Sequence, residues 1–431
     1  MQPRRRQGFA VGAVVLFVIV ATAIGLASAG TGGGGPTATS TTVGSVPDPY
    51  LAIETRNLAA AKAVVHVTLP TAPGAPAPSL GSGAFGGGVG SHQVVGFVPY
   101  YELSSIRSES LAAFTDLAYY EVDLRSNGSL VESSSSGGWS GLSNGGAASL
   151  VAAGHAAGDR VLLSVFTQSE SVLGPLCSHA ATTGALLGSE LAGILAKYHF
   201  DGVDLDLEGR AETDRAGYVR FVAALSARLA ASDRSWVLMV NTYPQSAEDP
   251  TGFFDVKALS QYASQLFVMA YDMDNSEIPS PDAPLAGAYL SDASALASYA
   301  AAGLAPKVIL GVPFYGYDFP ASGKGVPANA TGPPYAVTYD AIATSISVDG
   351  HLPLWDPQSE TPYTVFRRDG KWHQTWFDDP VSVALKTALA AQFKVAGVGA
   401  WEIGMVQSAP QMLSALAGGS PVVKLPLTAQ P

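Results

Sequence analysis

A single cysteine, Cys177, stands in 431 residues. No internal disulfide can form, so stability must come from an apolar core. Its flanks, Gly174-Pro175-Leu176 and Ser178-His179, hold nothing that activates a nucleophile, and a plain loop or partly buried thiol is expected. Charge is scarce too, at 13% of residues. The 23 basic residues fall short of the 35 acidic ones, for a net charge of −12 without a dense basic cluster. Nonspecific nucleic-acid binding needs phosphates neutralised by Lys and Arg, so no nucleic-acid partner is expected. A neutral polymer stays open as a partner. No Gly-rich phosphate fingerprint follows the first strand-like run. His155, His179, His199, His351 and His373 are scattered, and none is assigned catalysis.

What the chain does have is apolar side chains, 47% of residues, with 47 Gly and 29 Pro. That fills a substantial core and leaves much loop or linker outside it. Arg4-Arg5-Arg6, an apolar run from Phe9 to about Leu26, and Ala27-Ser28-Ala29 follow the order of an export signal. The run also approaches the length that spans a bilayer. Residues 1–29 are thus expected to be a signal peptide or membrane anchor, with the rest secreted or held on the extracytoplasmic face. Residues 30–91 are rich in Gly, Ser, Thr, Pro and Ala and read as a linker, apart from a mixed stretch at Tyr50–Leu69. A compact domain is expected over 92–420, then a tail over 421–431.

Inside that domain short β-branched or aromatic runs alternate with Ala/Leu-rich segments of helical spacing. The strand candidates are Val94–Tyr101, Asp116–Leu124, Arg160–Phe166, Asp201–Glu208, Trp236–Tyr243, Leu266–Met273, Val308–Tyr315 and Val398–Ile403. Helices are expected at Gly145–Ala157, Thr182–Tyr198, Asp214–Ala231, Asp292–Ala302 and Pro380–Lys394. Eight strands alternating with helices predict an α/β fold, the (β/α)8 TIM barrel. About eighty residues separate the last two strands, too many for one connection. Two β-type runs there flank Asp369-Gly370, a hairpin signal. A small α+β insertion between strands 7 and 8, at about 318–378, is therefore expected on the C-terminal rim.

The fourth strand carries the chemistry. With period two, Val203, Leu205 and Leu207 share one face, and Asp204, Asp206 and Glu208 share the other. In a barrel the apolar face meets the helices and the acidic face meets the lumen. Buried carboxylates without partners cost several kcal/mol each, so they must share protons, be hydrogen-bonded, or bind metal. Crowded like charges raise at least one pKa. Glu208, at the strand's open end, can then stay protonated and act as a general acid. An acidic surface strand and a Mg2+ or Ca2+ site are the two competing readings.

Asp201, Asp204, Asp206 and Glu208 resemble the DxxDxDxE signature of glycoside hydrolase family eighteen, the chitinase-like family. Val268-Met269-Ala270-Tyr271-Asp272 resembles its M-x-Y-D strand, and Gly311–Gly316 its seventh strand. Trp376–Asp379 with Ser382 and Lys386 resembles the approach to its last helix, and Gly397–Trp401 its final strand. The closest flavour is the bacterial branch related to spore-cortex and cell-wall glucosaminidases. The resemblance implies a glycosidase that cleaves β-1,4 linkages in N-acetylglucosamine-containing glycans (chitin, chito-oligosaccharide or peptidoglycan) with retention and substrate assistance. It implies Glu208 as acid/base, Asp206 orienting the acetamide, Asp204 supporting Asp206, and Tyr271 bonding the acetyl oxygen. Asp201, Asp272, Met269 and Trp401 are the implied substrate-binding residues, with Trp401 as the floor; Tyr100 and Tyr315, like Tyr101, sit at strand ends as further candidates for the cleft, with core packing the competing reading. No metal and no organic cofactor are implied, the partner is an N-acetylated polysaccharide or oligosaccharide, and a monomer is expected. One departure stands out: many members carry Arg after the seventh strand's Tyr-Gly, and this chain has Tyr317. A noncatalytic, lectin-like barrel of the cell surface is the competing class, although such members typically lose the terminal Glu.

Overall fold

The computed structural model describes residues 92–106, 108–133, 137–274 and 277–418. The expected export segment (1–29), linker (30–91) and tail (421–431) lie outside the described residues. In chain order the strands are β1 (Gln93–Pro99), β2 (Asp116–Asp123), β3 (Arg160–Thr167), β4 (Gly202–Leu207), β5 (Val237–Thr242), β6 (Gln265–Val268), β7 (Val308–Pro313), β8 (Tyr315–Ala321), β9 (Tyr335–Thr338), β10 (Leu354–Asp356), β11 (Thr361–Arg368), β12 (Lys371–Phe377) and β13 (Gly397–Trp401). The strands β1 to β7 and β13 close into a parallel barrel of order β1-β13-β7-β6-β5-β4-β3-β2. All eight expected barrel strands are present, and the (β/α)8 fold follows.

Alternation builds two cores. Val203, Leu205 and Leu207 join the helix side chains Leu187, Leu191 and Leu225 in the outer cluster. Val95, Phe97, Met239, Phe267 and Ile309 fill the lumen. The anticipated helices form at Gly146–Ala157, Ala180–Tyr198, Arg215–Ser232, Asp292–Ala301 and Pro380–Gln392. The last starts from Asp379, whose carboxylate accepts from Val381 and Ser382 backbone N–H groups, with Pro380 at the first helical position. Helices at Gly137–Asn144 and Glu170–Ser178 were hidden by Gly137, Gly138, Gly141 and Pro175, which weaken a helical pattern. Cys177 sits buried in the second of these instead of in a loop, and burial pushes its thiol up to about 12.

The expectation of a membrane-held protein is corrected. Among the described residues no helix is long and apolar enough to cross a membrane. The longest, Ala180–Tyr198, carries Glu190 and Lys197 and buries only one face. The segment that suggested an anchor lies outside the described residues.

The insertion is a five-stranded antiparallel sheet of order β10-β11-β12-β8-β9, with a helix at Tyr339–Asp349. Asp369 and Gly370 take φ of 52° and 77°, closing the β11–β12 hairpin as that dipeptide predicts. Only Phe314 separates β7 from β8, so the chain steps directly from barrel to inserted sheet. Tyr315, Tyr317, Phe319 and Trp376 then pack with Tyr271 and Trp401 at the barrel's C-terminal end.

One buried ion cluster ties the last helix to the barrel. Lys386 Nζ bonds Asp292 Oδ2 at 2.6 Å, lies 3.4 Å from Asp378 Oδ2, and donates to the Ala283 carbonyl. Removing the ammonium leaves two buried acids without their cation. Lys386→Met is expected to cost about 3–5 kcal/mol at pH 8. Burial lifts Asp292 to about 7 against the pull of Lys386, so acid pH can neutralise it. Denaturant unfolding should therefore show a smaller deficit at pH 5 than at pH 8.

Candidate active site

One strand supplies the acids. Asp204 is fully buried and Asp206 is 4% exposed, whereas Glu208, just past the end of β4, is half-buried. Their solvent access grows from the barrel floor toward the mouth. The Glu208 backbone N–H donates to the Thr167 carbonyl at 2.9 Å, which fixes where the chain leaves the sheet. Gly202 opens the strand because a side chain there would collide with the Val237 carbonyl.

Neighbouring strands support each acid. On β3, Ser164 is in register with Asp204 and donates to its Oδ2 at 2.6 Å. On β5, the pairing of Leu205 with Val240 sets Asn241 beside Asp206, and Asn241 hydrogen-bonds the Asp206 carboxyl. Among the described residues, one oxygen each of Asp204, Asp206 and Asn241 is buried without a partner. A buried polar atom without a partner costs ~1–3 kcal/mol; shared protons or a ligand's donor relieve that cost. Sequence reading missed Ser164 and Asn241, yet alternation from Leu162 and Met239, both in the lumen, points to them.

The electrostatics separate three roles. Burial is the largest influence on each group. It raises Asp204 to about 7 against the Ser164 hydrogen bond. Asp206 is held well above the usual carboxylate range by burial, then by the charges of Glu208 and Asp204. Glu208 is raised to about 7 by burial and the charge of Asp272, with Arg210 opposing. The row therefore retains protons at neutral pH, and its most accessible member can exchange one with the mouth. Among the described residues no three Asp, Glu, His or Cys side chains converge as a metal cage.

The surrounding residues converge from several elements. Trp401, at the end of β13, meets Tyr120 edge-on at 4.5 Å and Phe97 at 5.4 Å between ring centroids. Met269 and Tyr271 join the lumen cluster as the chain leaves β6. Tyr271 feels the charges of Asp206, Asp272 and Glu208. β6 ends at Val268, earlier than expected, and Asp272 turns out of it with φ of 54°. Tyr315 donates to Asp272 Oδ1 at 2.6 Å. The structure thus brings Asp204, Asp206, Glu208, Met269, Tyr271, Asp272, Tyr315 and Trp401 to one end of the barrel.

Two expected site residues stand elsewhere. Asp201 lies at the opposite end of β4, about 23 Å from Glu208 at ~3.3 Å per residue. It accepts from His155 Nε2 at 2.8 Å and from the Val161 backbone N–H at 2.7 Å, which makes it a brace between strands. Tyr100 follows the parity of Val94 and Val98 on β1 and packs on the outer core. Tyr120 reaches the lumen in its place.

The profile of the glycosyl hydrolases family 18 matches residues 176–405, more than half of the chain. The chain belongs to family 18 of the glycosyl hydrolases. This hydrolase is 25% identical over 271 residues to the di-N-acetylchitobiase of Rattus norvegicus, covering 57% of this chain and 71% of that one. It is 26% identical over 216 residues to the cortical fragment-lytic enzyme of Bacillus anthracis, covering 48% of this chain and 47% of the relative. It therefore spans about half the length of the Bacillus enzyme. A family 18 chitinase of Cycas revoluta, solved in complex with (GlcNAc)3, superposes with a TM-score of 0.67 at 21% identity, over 76% of this chain and 99% of that one. At that identity the likeness speaks for the fold.

Proposed function

We propose that this hydrolase cleaves β-1,4 linkages in N-acetylglucosamine-containing glycans with retention, the substrate's acetamido group serving as nucleophile. The observation that carries the reading is the graded acid row, whose outermost member, Glu208, stands half-buried just past the end of β4 with its carboxyl raised to about 7 by burial and by the charge of Asp272. Glu208 protonates the glycosidic oxygen. The acetamido oxygen then attacks the anomeric carbon, the C–O bond to the leaving sugar breaks, and an oxazolinium forms. Asp206 passes its proton to Asp204 behind it and carries the compensating negative charge. Tyr271 donates to the acetyl oxygen, and Asp272 and Met269 line the same subsite with Tyr315. Water then opens the intermediate with Glu208 as base, returning the original configuration.

We further place the chain in the branch related to spore-cortex and cell-wall glucosaminidases. Two Bacillus relatives support this placement, the cortical fragment-lytic enzymes of Bacillus anthracis and Bacillus cereus. The similarity to di-N-acetylchitobiase makes chito-oligosaccharides the natural comparison. A panel of chitin oligomers, peptidoglycan fragments and N-glycans, with products weighed by mass spectrometry, tests the assignment. Turnover of an N-acetylglucosamine β-1,4 linkage is expected; binding without turnover across the panel would instead make the barrel a lectin.

Trp401 gives the subsite its apolar floor. Trp401→Ala removes the surface on which a sugar's CH face stacks, and kcat/KM on a chito-oligosaccharide is expected to fall about ten- to a hundredfold, ~1.4–2.8 kcal/mol. Steady-state kinetics with intact far-UV dichroism checks it.

A further inference from the structure

We propose that Asn241, on β5, is a positioning residue for the reaction: its side-chain amide holds one oxygen of Asp206 and leaves the other free for the bound sugar. This rests on the reading of Asp206 as the charge set against the oxazolinium. Alternation along β5 is strict. Leu238 and Val240 join the outer core, whereas Val237 and Met239 lie in the lumen, which sends Asn241 inward too. Asn241 is 2% exposed. One step past the Leu205–Val240 pair, it stands beside Asp206. On the other side Asp206 is in register with Phe166 of β3, which offers no donor. At its own level in the two adjoining strands, Asp206 therefore meets one hydrogen-bonding side chain, Asn241, and the two are hydrogen-bonded.

Asp204 is served from the opposite side. Its register partner on β3 is Ser164, which donates to Oδ2 at 2.6 Å, and on β5 it meets Met239, which has no donor. Each acid thus takes one neutral donor from a different strand. Each also keeps one oxygen over, since Asp204 Oδ1 and Asp206 Oδ1 are buried without a partner. In the proposed mechanism Asp206 gives its proton to Asp204, so a negative charge appears on a carboxyl that Asn241 already holds. A hydrogen bond to a charged acceptor is roughly twice as strong as one between neutral groups. The amide's grip therefore tightens as the oxazolinium forms, without adding a charge of its own. Packing alone gives no reason for an amide here. An apolar side chain would fill the place as Met239 does, whereas Asn241 keeps its own Oδ1 buried without a partner. The bond to Asp206 supplies the reason.

Asn241→Leu keeps the branched shape and removes the amide; Asn241→Ala, which cannot overpack the lumen, repeats each measurement. On a chito-oligosaccharide, kcat is expected to fall about ten- to a hundredfold, the range for a reacting group displaced by about 1 Å. KM should change by less than about threefold. The deficit should be equal for a sugar and for a 4-nitrophenyl leaving group, because it acts through Asp206 and not through the proton of Glu208. In an Asp206→Ala background the same substitutions should cost less than about twofold further. A loss that came from a weakened barrel would persist there. Crystal structures supply a readout that needs no turnover. The Asp206 carboxyl is expected in one orientation in wild type and rotated or split in both variants, with the barrel strands superposing. A kcat within twofold of wild type, a full deficit persisting in Asp206→Ala, or an unmoved Asp206 carboxyl overturns the proposal. If wild type turns over no glycan, the orientation of Asp206 still decides whether Asn241 positions it, and the inactivity counts against the glycosidase reading alone.

Discussion

Glu208→Gln is expected to lower kcat on a chito-oligosaccharide by about a thousandfold, inside the range for general acid catalysis. The amide preserves size and can donate a hydrogen bond, but it has no proton to transfer to the departing oxygen. Two further observables make this specific. A 4-nitrophenyl leaving group departs with little protonation, so the deficit should shrink there. In wild type, kcat should fall on the alkaline side near pH 7, where Glu208 loses its proton, and the variant should lack that limb. The same substitution bears on stability. Because the folded protein raises Glu208 above its ordinary value, folding strength is lost as pH rises through about 7. Gln carries no such loss, so the variant should melt higher than wild type at pH 8 and near it at pH 4. An alkaline limb that survives in Glu208→Gln would assign it to another group and remove Glu208 from the acid role.

The barrel and its acid row were legible in the sequence because both depend on strict periodicity. The strand with Val203, Leu205 and Leu207 on one face can settle only with those side chains on the helices, which sends Asp204 and Asp206 inward. Asp369-Gly370 marked the inserted hairpin because few other dipeptides supply two adjacent positive φ values. Legibility stopped where the fold is set by contacts between distant segments. Asn241 has no local signature; its role comes from β5 lying in register beside β4. Asp201 belongs to the acidic signature by spacing, yet it sits on the barrel floor because a strand carries its first residue to one end and its last to the other. Tyr317 stands out in the sequence only as a departure from the family's Arg; that its hydroxyl meets Asp272 follows from the chain's passage through Phe314 into the inserted sheet.

On the proposed mechanism, the row costs stability where it serves the chemistry. Asp204, Asp206 and Asn241 each keep a buried oxygen without a partner, and among the described residues no Lys or Arg forms an ion pair with Asp204 or Asp206 as Lys386 does with Asp292. The ion cluster around Lys386 shows that this fold neutralises buried acids where nothing further is asked of them. Arg210 acts on Glu208 at the mouth, but for Asp206 the neutralising partner must come from outside. In the proposed mechanism a positively charged intermediate supplies that partner during turnover, which is the condition for binding the transition state more tightly than the ground state.

Asp206→Asn isolates that term. A loss of about a hundred- to a thousandfold in kcat is expected, the range for deleting one group placed against transition-state charge, with KM changed by less than about threefold. In the free protein Asp206 is held well above the usual carboxylate range by burial, Glu208 and Asp204. Its negative charge becomes favourable only as the oxazolinium forms beside it, so the ground state should lose little from the substitution. The cation develops whichever group departs. The Asp206→Asn deficit should therefore be the same for a sugar and for a 4-nitrophenyl leaving group, in contrast to Glu208→Gln. The deciding quantity is the ratio of the two deficits, measured under single-turnover conditions so that product release does not mask chemistry. If the nitrophenyl substrate rescues both variants alike, Asp206 is acting on the proton of Glu208 and the charge-stabilising role fails. If only Glu208→Gln is rescued, the two carboxyls divide the work between proton and cation, as their different burial and partners at the end of β4 imply.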